Sequence, residues 1–179
     1  EKTSVAKYGG YYIGRYEART STARNKENDT LTQITVKGTD KVYNWVTQIQ
    51  AASQSQNMYN STKFTSDLMN SYAWDTATLF LQNCGTNKKY SRQTSLNGSL
   101  LQTGTNTLTE TNKIDKQCNV YDMASNVGEW TTETCSYSDS PCVYRGGNYR
   151  NSSCYTSDRY GYDTSYSISR VGFRPLLYL

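Results

Sequence analysis

The stretch "YDMASNVGEWT", Tyr121–Thr131, sets Asp122, Ser125 and Asn126 ahead of Val127, Gly128, Glu129 and Trp130. Short polar side chains that bond to nearby backbone favour turns. The apolar and aromatic residues that follow suit a pleated, half-buried surface. Together with its flanks, "NVYDMASNVGEWTTE" reads as a turn followed by a strand. Downstream, short strands separated by Gly, Asn and Ser lead to the apolar close "VGFRPLLYL", Val171–Leu179.

Upstream, "YYIGRYEAR" (Tyr11–Arg19) alternates bulky and polar residues and reads as a strand. Residues 20–34 are polar and turn-like. In "TDKVYNWVTQIQAA" (Thr39–Ala52), Val42, Trp45, Val46 and Ile49 fall at helical spacing, with Thr39 or Asp40 as N-cap and Trp45 in the core. A second helix is expected in "SDLMNSYAWDTATLFLQN" (Ser66–Asn83). Its stripe steps through Leu68, Tyr72, Asp75 or Thr76, and Leu79, widened by Ala77 and Phe80. Residues 85–113, rich in Gly, Asn, Ser and Thr, read as a long surface loop. Apolar side chains in both end segments imply that the strand near Tyr11–Arg19 pairs with one near Gly172–Leu179. The 179 residues fit one domain, 1–179, with no internal repeat.

Polarity here comes from Ser, Thr, Asn, Gln and Tyr more than from charge, since only 19% of residues are charged. Seventeen Tyr are more than a core accommodates, because each buried hydroxyl needs a partner, so many are expected on display. The net charge of +4 is not clustered, which argues against nucleic-acid binding. No apolar run reaches membrane-spanning length, and no signal-peptide pattern opens the chain. There is no His, and the five Cys include no C-x-x-C pair, so neither a zinc pattern nor a His-dependent nucleophilic triad is available. Cys135 and Cys142 bracket a turn that a disulfide would clip in an oxidising compartment.

The composition changes sharply along the chain. Lys, Gln, Glu, Met and Trp together number 31, and all lie at or before Glu133. An even spread would place about eight of them in the last 46 residues. Within that tail, "NYRNSSCYTSDRYGYDTSYS" (Asn148–Ser167) carries five Tyr and five Ser and no Ala, Val, Ile, Leu, Met, Phe or Trp.

"YDMASNVGEWT", "YRGGNY" (Tyr144–Tyr149) and "RVGFRP" (Arg170–Pro175) stand in the order of three signatures of the formylglycine-generating-enzyme family and resemble them. "YYIGRYEA" resembles that family's opening strand, and "AWDTATLF" (Ala73–Phe80) its first signature helix. The likeness runs from about Tyr11 to Pro175. It implies the α+β C-type-lectin fold in its formylglycine-generating-enzyme-like form: two helices, small antiparallel sheets and paired termini. Ser125 and Gly128 replace the family's usual Gly and Trp, and Asn148-Tyr149 replaces Ser-Trp, which puts Tyr149 at a buried position. Arg145 and Arg174 read as structural arginines. Glu129 reads as a capping or ion-pairing carboxylate, with a structural Ca²⁺ as the alternative the resemblance carries.

The enzymatic members implied by this resemblance are metal-dependent oxidoreductases. Their copper-binding cysteines would fall at Asn151 and Thr156, and the histidines that hold iron in other relatives have no counterpart. No catalytic site and no cofactor are therefore expected. The chain looks instead like the variable proteins of diversity-generating retroelements, in which errors at adenines rewrite chosen codons, commonly AAC or AAT. Such codons cannot yield Lys, Gln, Glu, Met or Trp, the five residues absent after Glu133. The resemblance implies a ligand-binding variable region at about 143–174. Asn148, Arg150, Asn151, Tyr155, Tyr160, Tyr162, Asp163, Tyr166 and Ile168 are its candidate contact residues. Tyr supplies stiff contact area and Ser, Gly and Asn adaptable hydrogen bonds, the mixture used by antibody loops. The expected partner is a protein or glycan on a target cell, bound by a phage-tail or bacterial-surface protein that could form homo-oligomers.

Overall fold

The computed structural model describes residues 2–36, 39–59, 61, 63–94, 115–151 and 153–179. Helix α1 (Lys2–Tyr8) leads into β1 (Tyr12–Ile13), β2 (Arg19–Thr20) and β3 (Lys41–Val42), then α2 (Gln48–Gln56), β4 (Thr65–Leu68) and α3 (Ser71–Cys84). A 3₁₀ turn at Tyr90–Arg92 follows. The second half is β5 (Lys116–Gln117), β6 (Val120–Tyr121), β7 (Gly128–Thr134), β8 (Cys142–Arg145), β9 (Arg159–Tyr162), β10 (Val171–Phe173) and β11 (Pro175–Tyr178).

Strand β11 lies between β1 and β4, with Tyr12 opposite Leu177 and Tyr178 opposite Thr65, so the two ends of the chain pair as the sequence implies. The expected single strand over Tyr11–Arg19 is instead split into β1 and β2. It still follows the C-terminal strands, because Gly14 N–H donates to Pro175 O and Ala18 N–H to Phe173 O. A four-stranded sheet runs β10-β7-β8-β9, with β10 parallel to β7.

The first expected helix starts later than its apolar spacing suggests. Val42 lies in β3 and Trp45 takes a left-handed backbone (φ 55°), which breaks any helix through it. Thr47 and Gln50 form a capping box that starts α2 at Gln48, and Ile49 is left exposed. The second helix exists but turns a different face inward. Asn70 caps it by accepting from Ala73 N–H at 2.8 Å, Leu68 belongs to β4, and the buried stripe is Ala73, Trp74, Ala77, Thr78 and Leu81. Of the expected stripe, Leu68 is buried in β4 rather than in the helix, Ala77 is buried within α3, and Tyr72, Leu79 and Phe80 face outward. Trp74 decides this: its indole N–H donates to Thr156 O at 2.9 Å in the interior, which sets the rotation of the helix. Of the expected 85–113 loop, residues 95–113 lie outside those described.

The turn at Asp122–Val127 is held by buried acids. Asp122 and Asn126 take left-handed backbones (φ 59° and 65°), which Asp and Asn tolerate better than most residues. Asp115 accepts from Ala124 N–H, and Glu17 accepts from Val127 N–H and from the Asn126 side-chain amide. Gly146 (φ 79°) packs so close that a Cβ there would meet Met123 O at 2.5 Å, which accounts for the first Gly of "RGG". At Gly128, where the family's usual Trp is missing, the Tyr144 ring fills the space: a Cβ would meet it at 2.6 Å. Tyr144 in turn packs edge-on against Trp130.

Four buried carboxylates (Glu17, Asp115, Asp122, Glu129) share this interior with two buried arginines, Arg19 and Arg174. Burial and the neighbouring Glu129 charge push the Glu17 carboxyl up to about 8 from an ordinary 4.5, outweighing the pull of Arg19 and Arg174. A raised acid stabilises the fold fully below its unfolded value and loses that contribution as pH climbs through the folded one. We therefore expect stability to fall between about pH 5 and 8, by up to about 1.4 kcal/mol per unit. Glu17→Gln keeps an acceptor for Val127 N–H and should flatten that slope. Urea titrations at several pH values measure it, and an equal slope in both proteins contradicts the assignment.

Candidate ligand-binding surface

Strand β8 is buried along its whole length, whereas β9 beside it alternates exposed and half-buried residues at the sheet edge. Alternation sends Tyr160 and Tyr162 to one face, where they meet Tyr144, and Arg159 to the other. Between these strands the described residues 146–151 and 153–158 loop out, and two buried side chains grip that loop from below. The Trp74 indole holds Thr156 O. Arg145 Nε donates to Asp158 O at 3.0 Å, while its other nitrogens reach Asp75 Oδ1 at 2.6 Å and Ser71 Oγ at 2.7 Å. A guanidinium presents a rigid fork of donors, so a single residue fixes both the loop backbone and α3. Arg159 extends the network on the outside by bridging Asp75 and Glu133.

The expected contact residues sort into three groups. Arg150, Asn151, Tyr155 and Asp163 are exposed. Tyr160, Tyr162, Tyr166 and Ile168 are half-buried and pack against the core cluster around Trp130 and Phe173. Asn148 is buried at 2% exposure, and its Oδ1 accepts from Arg150 N–H, so it shapes the loop from inside. Tyr149 is buried as expected, its hydroxyl 2.9 Å from Ser169 Oγ.

The half-buried tyrosines form a layered stack. Tyr162 lies on Tyr166 with ring centroids 3.8 Å apart, and Tyr166 packs edge-on to Trp130. The Tyr160 hydroxyl donates to Asp158 Oδ2 at 2.8 Å and lies 3.1 Å from the buried Cys154 Sγ, whose thiol can donate to it in return. Burial pushes the Tyr166 hydroxyl up to about 12 and raises Tyr144 and Tyr160 as well. These hydroxyls therefore remain neutral donors at physiological pH. Asp163 is held below the usual carboxylate range by the Ser165 hydroxyl and backbone N–H, so it stays ionised. The surface thus offers flat aromatic edges, neutral hydroxyls, one fixed negative charge at Asp163 and a cation at Arg150.

One further region shares the composition of the candidate surface. The β7–β8 turn, with Tyr137 at 74% exposure, also lies beyond Glu133 and has the same Tyr/Ser/Asp character. It borders Gly161 of β9 across a shallow depression lined by Tyr137, Ser138, Asp139 and Ser140.

At the two positions where copper-binding thiols would stand, Asn151 is exposed and Thr156 is fully buried. Glu129, the candidate Ca²⁺ ligand, has both oxygens engaged by Arg174, at 2.6 and 3.0 Å. Among the described residues no three Asp, Glu or Cys side chains are grouped to hold a metal ion. All five cysteines are free, so Cys135 and Cys142 are not bridged; the Cys135 thiol donates to Ser140 O and Cys142 is buried.

No protein-family model matches the chain, and no curated protein is significantly similar to it. Solved structures are. Treponema denticola variable protein 1 superposes with a TM-score of 0.63 at 17% identity, over 94% of this chain and 84% of that one. PvdO from Pseudomonas aeruginosa superposes with a TM-score of 0.57 at 14% identity, over 94% of this chain and 80% of that one. At such identities the likeness speaks for the fold, and the fold is the C-type-lectin fold in its formylglycine-generating-enzyme-like form.

Proposed function

We propose that this chain is a ligand-binding protein whose C-terminal surface is diversified by a retroelement, acting as a receptor-binding protein of a phage or prophage or as a bacterial surface protein. One observation carries the reading. In the segment that excludes Lys, Gln, Glu, Met and Trp, the exposed side chains sit on a backbone clamped from below by Trp74 and Arg145. Such a frame lets side chains change while the loop keeps its shape. A fold neighbour that is itself named a variable protein supports it. The ligand is a protein or glycan on a target cell, met through tyrosine edges and adaptable Ser and Asn hydrogen bonds. The protein carries out no reaction of its own in this reading and needs no cofactor.

A library varied only at Arg150, Asn151, Tyr155 and Asp163 tests this proposal. Exposed substitutions usually move stability by about 0.5 kcal/mol or less, whereas an aromatic or Arg contact at a binding surface can be worth about 2 kcal/mol of affinity or more. Most variants should melt close to the parent, and screens on glycan arrays and bacterial envelopes should show altered partners. A library in which most members fail to fold contradicts the proposal. A second arm at Tyr160, Tyr162 and Tyr166 should cost more stability, about 1–3 kcal/mol each, because these rings also pack on the core.

A further inference from the structure

Strand β9 ends the sheet order β10-β7-β8-β9, so among the described residues one of its long sides has no partner strand. The register fixes which backbone groups point that way. Gly146 N–H donates to Asp158 O in register with the β8–β9 pairing, so Tyr160 and Tyr162 are the β9 residues bonded to β8. Val143 agrees, since its carbonyl turns away from β9 to accept from the Thr131 hydroxyl of β7. The N–H and C=O groups of Arg159 and Gly161 therefore point outward from the sheet. Both residues are exposed, and among the described residues no hydrogen bond reaches those groups. An open edge is a template for another strand, and proteins usually blunt it with charge, Pro or a bulge. Strand β9 has neither Pro nor bulge, and its one charge, Arg159, is drawn onto Asp75 and Glu133.

The surroundings of the edge define the strand that would fit it. Gly161 lets the β7–β8 turn come close, since a Cβ there would meet Ser140 O at 2.9 Å. The shallow depression of Tyr137, Ser138, Asp139 and Ser140 opens at this point. Neither Asp139 nor Asp163, just past the strand, has an ion-pair partner among the described residues. On an added strand, the side chain opposite Gly161 lies on the same face as the depression. A Lys or Arg there finds an aromatic ring at Tyr137 and an unpaired carboxylate at Asp139. The residues on either side of it turn to the other face, toward half-buried Tyr160 and Tyr162, where apolar side chains suit.

We propose that the ligand is a protein, and that an extended segment of it, alternating apolar and basic residues, adds as a strand to the edge of β9. This rests on the ligand-binding reading above and narrows its partner to a polypeptide. In such recognition main-chain bonds supply affinity and alternate side chains supply specificity. Main-chain groups keep their chemistry whichever side chains the segment carries. The edge is thus an anchor that diversification leaves in place.

The test selects short linear peptides from a displayed random library on the whole chain and synthesises the tightest binder. Selected peptides should alternate apolar and basic residues. Single N-methylation along the peptide should weaken binding by about tenfold or more at every second residue, and far less at those between. In NMR spectra of the chain, amide exchange at Arg159 and Gly161 should slow when the peptide is added. Asp139→Asn, in the exposed turn, should weaken binding by about two- to fivefold. An N-methyl pattern without alternation, or slowed exchange elsewhere and not at these two amides, would overturn the proposal. So would a selection that yields no peptide. If the chain then binds a glycan array, strand addition fails while the ligand-binding reading stands.

Discussion

Replacing Arg174 with Met should destabilise the fold by about 3–5 kcal/mol, the cost of leaving a buried charge without its partner. Arg174 is fully buried and holds Glu129 with two hydrogen bonds, while its remaining donors reach Gly14 O at 2.7 Å and Tyr121 O at 2.8 Å. One guanidinium thus joins the opening segment, the Tyr121–Thr131 turn, β7 and the C-terminal segment. Arg174→Lys should rescue little, since an ammonium cannot reproduce the fork. A double change, Arg174→Met with Glu129→Leu, should recover part of the loss by removing the stranded carboxylate. It should not recover all of it, because the two carbonyls still lack their donor. Urea unfolding midpoints measure each variant. A single variant as stable as the parent would refute the structural role assigned to this pair.

The second large effect is expected from removing Leu177–Leu179. Strand β11 is the middle strand of its sheet, so its loss deprives both neighbours of ladder bonds: Leu177 lies between Tyr12 and Ser66, and Tyr178 lies opposite Thr65. The Tyr178 hydroxyl also accepts from Asn70, the N-cap of α3, at 3.3 Å, and its ring meets Tyr11 edge-on. Lost hydrogen bonds and exposed apolar area together should cost at least ~3 kcal/mol. That corresponds to a melting temperature lower by roughly 6–12 °C for a chain of this size. Equal melting of the truncated and intact proteins would contradict the pairing of the chain ends.

The parts of the fold legible in sequence were those in which local chemistry and tertiary packing agree. The turn-then-strand reading of Tyr121–Thr131 holds because Asp122 and Asn126 suit the left-handed positions there. Helix spacing was a poorer guide. Val42, Trp45, Val46 and Ile49 mimic an apolar face, yet the capping box at Thr47 and the left-handed Trp45 start α2 later. In α3, aromatic and aliphatic residues on the outer face matched the expected stripe, while the buried hydrogen bond from Trp74, which sets the true one, has no local sequence signal. The candidate surface was legible as a composition and not as individual contacts. Nothing in "GGNYRN" (Gly146–Asn151) distinguishes the buried Asn148 from the exposed Arg150, because that difference arises from how the loop folds over its own backbone. Tyr160, Tyr162 and Tyr166 serve both core and surface, a double role that a segment without aliphatic residues makes necessary.

The proposed function requires that this surface be rewritten while its frame is kept. The most direct measurement is to sequence the 3′ coding end in a clonal population, together with the DNA beside it. A reverse-transcriptase gene and a near-copy of that coding end are expected. Substitutions should be confined to positions that are adenines in the copy, falling in the codons of exposed residues such as Arg150, Asn151, Tyr155 and Asp163. The codons of Arg145, Gly146 and Arg174 should stay constant, because those residues hold the backbone in place. Substitutions spread over all four bases, or the absence of any near-copy, would contradict it.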